Sequence, residues 1–216
     1  MNEKLTDQTV DILTEEALSA FFDLKYEGKL SRETRREIAF AAGRAGYLVV
    51  PDITRESLDD SAALSTLVKV EPGDSLSELY QTEHLAIELG IAIAMSDGKV
   101  HPRETVQLSY VMERHFKFTD LEIRALRALK DFCLIYPPGI VQTARRLALI
   151  LSPDERLVIA AMMTTVAAAA KRGKIGQDEA EGLLALFRTL EINESELDVI
   201  IKKLRIKRVW ILLKRE

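Results

Sequence analysis

Through most of the chain the apolar residues recur every three or four positions, the period of a helix that buries one face. From Thr9 to Lys25 they fall at Val10, Ile12, Leu13, Ala17, Leu18, Phe21, Phe22 and Leu24, and Gly28 is placed to end that helix. Ser31 can cap a second helix to about Ala45, with Ile38, Ala39, Ala41 and Ala42 on its apolar side. The period then changes. Tyr47-Leu-Val-Val50 and Thr66-Leu-Val-Lys-Val70 are short and β-branched. They can pair as a small ribbon, or the second can end a helix begun near Arg55. Glu71-Pro-Gly-Asp-Ser75 is the strongest turn cluster and marks a domain boundary.

Helical spacing resumes beyond that turn. One helix runs from about Thr82 through Leu85, Leu89, Ile91 and Ala92 to Ser96. The next, Pro102 to about His115, is expected to carry Val106, Tyr110 and Val111 inward. Thr119 and Glu122 form a capping box for a third, through Ile123, Leu126, Leu129 and Phe132. Tyr136-Pro-Pro-Gly139 breaks the chain before a helix over Ile140 to Leu151. Ser152-Pro-Asp-Glu155 supplies a cap, a first-turn proline and a third-position acid. The helix it opens is apolar on nearly every side from Leu157 to Ala170, which predicts a central buried position. Glu179 to Thr189 follows, and Asn193 with Glu196 caps a last helix. The fold class predicted is mainly all-α.

Two stretches organise this pattern. Ala94-Met-Ser-Asp97-Gly98-Lys99-Val100-His101-Pro102-Arg103-Glu104 reads as a helix–turn–helix corner. Gly98 suits the left-handed conformation after a helix, Val100 can anchor the turn, and Glu104 can reach back to a free backbone N–H. The second stretch, Lys171-Arg172-Gly173-Lys174-Ile175-Gly176-Gln177-Asp178-Glu179, repeats Gly, Lys, a β-branched residue and Glu at one constant offset. Phe118 to Ile123 is likewise answered by Ile192 to Leu197. The chain therefore contains a duplicated helical hairpin. Asp97 breaks the match, because Arg172 stands in its place in the second copy.

Composition narrows the class. The 216 residues are 47% hydrophobic and 30% charged, without an apolar run long enough for a spanning helix. The polar N-terminus does not resemble a signal peptide, and a lone Cys133 cannot make an internal disulfide. A cytoplasmic location is expected. The net charge of −4 is unevenly placed, from net −8 up to Glu83 to net +6 over Lys202–Glu216. The overall acidity argues against a nucleic-acid partner. The tail mixes cations with Val209, Trp210 and Leu213. It can meet an anionic membrane surface or an acidic partner, or pack on the body.

Candidate chemistry is sparse. Asp97 and Glu104 lack the alternating oxygen ligands of a helix–loop–helix calcium site; a looser divalent-cation site shared with another helix is the alternative. Without a cation, Asp97 accepts N–H groups across the turn and Glu104 caps its helix, or Asp97 pairs with Arg172. His84, His101 and His115 do not have zinc-site spacing; His101 can assist a cation or be a plain turn residue. Cys133 reads as a small buried hydrophobe. No phosphate loop, nucleophile elbow or catalytic triad is visible, and no enzyme activity is expected.

The pattern Ala-x-x-Asp-Gly-Lys-Val-x-Pro-x-Glu before an amphipathic helix, echoed at the second corner, resembles the bacterial tellurite-resistance TerB-like family over roughly residues 81–204. The resemblance implies a helical fold, a role in tellurite or metal stress, and divalent-cation binding by acidic corner residues. It carries the metal-ligand role to Asp97 and Glu104 only, since Arg172 replaces the second aspartate. The organisation expected is an N-terminal helical extension over 1–75, the duplicated helical domain over 76–205, and a basic amphipathic tail over 206–216. The function expected is a non-catalytic interaction module with protein partners, and the alternative is a metal-free adaptor or scaffold of a phage or mobile element.

Overall fold

The computed structural model describes residues 13–23, 30–53, 65–170 and 174–203. The expected helix start before Leu13, Gly28, the region of Arg55, the Arg172-Gly173 pair and the tail beyond Lys203 lie outside them. Within the described residues the order is α1 (Glu15–Phe21), α2 (Arg32–Arg44), β1 (Tyr47–Val50), β2 (Thr66–Lys69), α3 (Tyr80–Ala94), α4 (Pro102–His115), α5 (Asp120–Ile135), α6 (Ile140–Ile150), α7 (Pro153–Ala167), α8 (Gln177–Thr189) and α9 (Glu194–Lys203). The protein is mainly helical, and its one described sheet is the two-stranded antiparallel ribbon. No helix among the described residues is long and apolar enough to cross a membrane.

Two compact units divide the chain: residues 1–75 with Asp120–Phe132, and Leu76–Thr119 with Cys133–Glu216. In the first, the ribbon pairs Tyr47 with Lys69 and Val50 with Thr66. Its core gathers Leu18, Leu30, Ile38, Ala42, Val49 and Ile53. Ser31 caps α2 through its hydroxyl, which accepts the Thr34 N–H. Asp74 knits the turn after β2. Its Oδ2 accepts the Glu71 N–H at 2.6 Å and a bond from Arg124, whose guanidinium also donates to the Lys69 carbonyl at 3.2 Å.

In the second unit α3 lies against α4, α6, α7 and α8. Every residue of it from Glu83 to Ala94 is buried. The stretch apolar on nearly every side from Leu157, in α7, is the expected central helix; it shares the interior, but Val158 in its second turn reaches the surface. Close packing depends on two glycines. A Cβ on Gly90 would stand 2.4 Å from Leu108 Cδ1, and one on Gly182 would stand 2.9 Å from both Ile140 Cδ1 and Ser96 Oγ. Arg156 joins three helix ends. It stands in the first turn of α7, and its guanidinium donates to the carbonyls of Ala148 and Leu151 at the end of α6 and of Leu190 after α8.

The duplication is visible in the helices: α3 and α4 correspond to α7 and α8. Pro102 and Gln177 open the second helix of each copy, with Glu104 and Glu179 buried at the same place in the first turn. One expectation fails on α4. Val106 and Tyr110 point outward, 70% and 55% exposed, while Glu104, Leu108, Val111 and Met112 form the buried face. The buried row is set by the cap glutamate and by Leu108 seated on Gly90. Val106 and Tyr110 then fall on the far side of the helix.

Candidate functional site

The first corner is built by local hydrogen bonds. α3 ends at Ala94, and the turn closes with the Gly98 N–H donating to the Met95 carbonyl at 2.8 Å. Gly98 has a φ of +81°, the left-handed conformation for which the sequence marked it. Asp97 is exposed, and its Oδ1 accepts the Lys99 N–H at 3.1 Å. Glu104 is 2% exposed, and its Oε2 accepts the His101 N–H at 2.8 Å. His101 completes the box as the N-cap itself, its Nδ1 accepting the Arg103 N–H at 3.1 Å. That role was not legible, because histidine is not among the usual N-cap residues.

Fit to a divalent cation is decided by how these oxygens are engaged. Hard cations gather six or so oxygen ligands, several of them carboxylate. Here one carboxylate, Asp97, is at the surface, and the other is buried on its own cap. Among the described residues no group of three or more His, Cys, Asp or Glu side chains could hold a metal ion. Among the described residues no third metal-ligating side chain joins Asp97 and Glu104. Arg172, the alternative partner for Asp97, lies outside the described residues.

A second polar constellation sits inside the helical unit, and the sequence reading missed it. Glu88 of α3 is 6% exposed. Its Oε2 accepts from Arg146 Nη1 of α6 at 2.9 Å and from Thr143 Oγ1 at 3.4 Å. Its Oε1 lies 3.0 Å from Nε2 of the buried His84, an electrostatic contact one turn away that lacks hydrogen-bond alignment. The Tyr80 ring meets the His84 imidazole edge to face at 5.8 Å. Cys133 is buried, and burial chiefly, with the Glu88 charge adding, pushes its thiol far above the ordinary range. The signal was available: His84 and Glu88 stand four apart in a helix that is apolar from Leu85 onward but for Glu88, and such groups enter a core only with partners.

The cluster can hold α3 against α6 through Glu88, which accepts from Arg146 and Thr143, while neither ring nitrogen of His84 makes a hydrogen bond to a described residue. His115, the third histidine, directs Nδ1 to the Val111 carbonyl at 2.8 Å within its own helix.

Among known families, the model for Tellurite resistance protein TerB matches residues 82–202. No characterised protein and no solved structure matches the chain. The matched span opens just inside α3 and closes within α9, so it contains the corner, the Glu88 cluster and both copies of the hairpin.

Proposed function

The chain belongs to the TerB tellurite-resistance family, and from that premise we propose that it is a non-catalytic interaction module in a bacterial response to tellurite or metal stress. The observation that carries this reading is the engagement of the polar groups in the matched span. Glu104 is spent on a helix cap and Glu88 on a helix–helix contact, while Asp97 holds a turn N–H. These groups serve to fix surfaces in place. The first corner is then architecture that aims α3 and α4, and it works without a resident cation.

The test is complementation in a tellurite-exposed host lacking the chain's gene. The full chain is expected to restore growth, and so is Glu104→Gln if it still folds, since no residue here is required for turnover. Loss of the gene without any change in tellurite or metal tolerance would overturn the reading in favour of an adaptor unrelated to metal stress.

A further inference from the structure

We propose that the outer face of α4 docks an acidic amphipathic helix of a partner protein, whose apolar residues cover Val106 and Tyr110 and whose carboxylates reach Arg103 and Arg114. This rests on the interaction-module reading and names the kind of partner. α4 has a complete inward face in Leu108, Val111, Met112 and the cap Glu104. Val106 and Tyr110 are additional to it, 70% and 55% exposed and one turn apart. A single exposed apolar side chain needs no explanation, but two neighbours on one face form a patch.

The charges around the pair choose the partner. Arg103 precedes Val106 by three residues and Arg114 follows Tyr110 by four, so the four share one stripe of about 16 Å at 1.5 Å per residue. Both arginines are exposed, and neither has a carboxylate partner among the described residues. Arg114 is favoured by the helix C-terminus. Arg103 sits in the first turn, where the helix dipole disfavours a cation, so its placement is not explained by the helix itself. Around the corner and α4, exposed Lys99, Arg103, Arg114 and Lys117 outnumber exposed Asp97 and Glu113, in a chain of net charge −4.

An aromatic flanked by arginines is the composition of an energetic centre in a protein interface. The length of the strip suits a helix with apolar residues at i and i+4. A lipid surface would require a longer continuous apolar face, which Ser109 and Glu113 interrupt. A nucleic acid would call for more cations than this stripe offers.

The test measures binding of the full chain to three probes. They are a synthetic amphipathic helix with leucines at i and i+4 flanked by glutamates, the same peptide with lysines for glutamates, and phosphatidylcholine–phosphatidylserine vesicles. Wild type is compared with the Val106→Ser/Tyr110→Ser and Arg103→Glu/Arg114→Glu double variants. All four side chains are exposed, so thermal unfolding of the variants should coincide with wild type. The acidic peptide is expected to bind wild type, and each variant about tenfold or more weakly. The charge-reversed variant should turn to the lysine peptide. Equal binding of both peptides by wild type, no binding of the acidic peptide, or loss of vesicle rather than peptide binding in the variants would each overturn the proposal. If the acidic peptide bound all three proteins alike, the α4 surface would be wrong while the interaction reading stood. Failure of tellurite complementation would strike that reading separately.

Discussion

Asp74 shows how a single side chain can fix a turn and make it sensitive to acid. The Glu71 N–H, and then the Arg124 guanidinium, hold its carboxyl below the usual carboxylate range. A group whose folded pKa is lowered contributes stability above its unfolded value, near 4, and loses it as pH falls through the folded value. Asp74→Asn should therefore be less stable than wild type at neutral pH, and the gap should close as pH is lowered through the acid range. Chemical denaturation at a series of pH values checks it; a gap independent of pH would rule the linkage out. Asp74 and Pro72-Gly73 were legible as a turn because turn chemistry is local. The arginine that completes it, fifty residues on, was not, since nothing in a sequence orders a distant partner.

At the scale of elements, the helix periods and the caps at Ser31, Ser152 and Asn193 were readable from the text. The box of Ser152 with Glu155 forms as expected, and so does that of Asn193 with Glu196. The ribbon was one of two open alternatives and is the one the chain adopts. What could not be read was which face of α4 turns inward, because Val106, Tyr110 and Val111 compete with Leu108, Val111 and Met112 and the choice is made by the Gly90 groove on α3. Nor was the partner of the buried Glu88 foreseen, since Arg146 comes from another helix. Removing one member of a buried charged set leaves the others uncompensated. Glu88→Ala should cost about 3–5 kcal/mol in equilibrium unfolding, discounted for the part of Arg146 that meets water. A cost below about 1 kcal/mol, the range of a surface ion pair, would show that the cluster does not hold α3 to α6.

For the molecule as a whole, duplication and corner chemistry placed the family before any coordinate did, because the Gly-x-β-branched-x-x-x-Glu kernel is repeated in the sequence of both corners. The same fact limits what the kernel says about function, because Glu104 caps its own helix through the His101 N–H. The measurement that tests this most directly is thermal unfolding of wild type, Asp97→Asn and Glu104→Gln, each in EDTA and with Ca²⁺, Mg²⁺, Mn²⁺ or Zn²⁺. If the corner is architecture, Glu104→Gln keeps the bond to the His101 N–H, loses only the charge facing the helix N-terminus, and lowers stability by no more than about 1 kcal/mol even in EDTA. Asp97→Asn then changes little, and no ion separates it from wild type. A cation that stabilises wild type, by about 2.7 kcal/mol at a hundredfold excess over Kd, and that loses its effect in Asp97→Asn would contradict the account and make the corner a metal site.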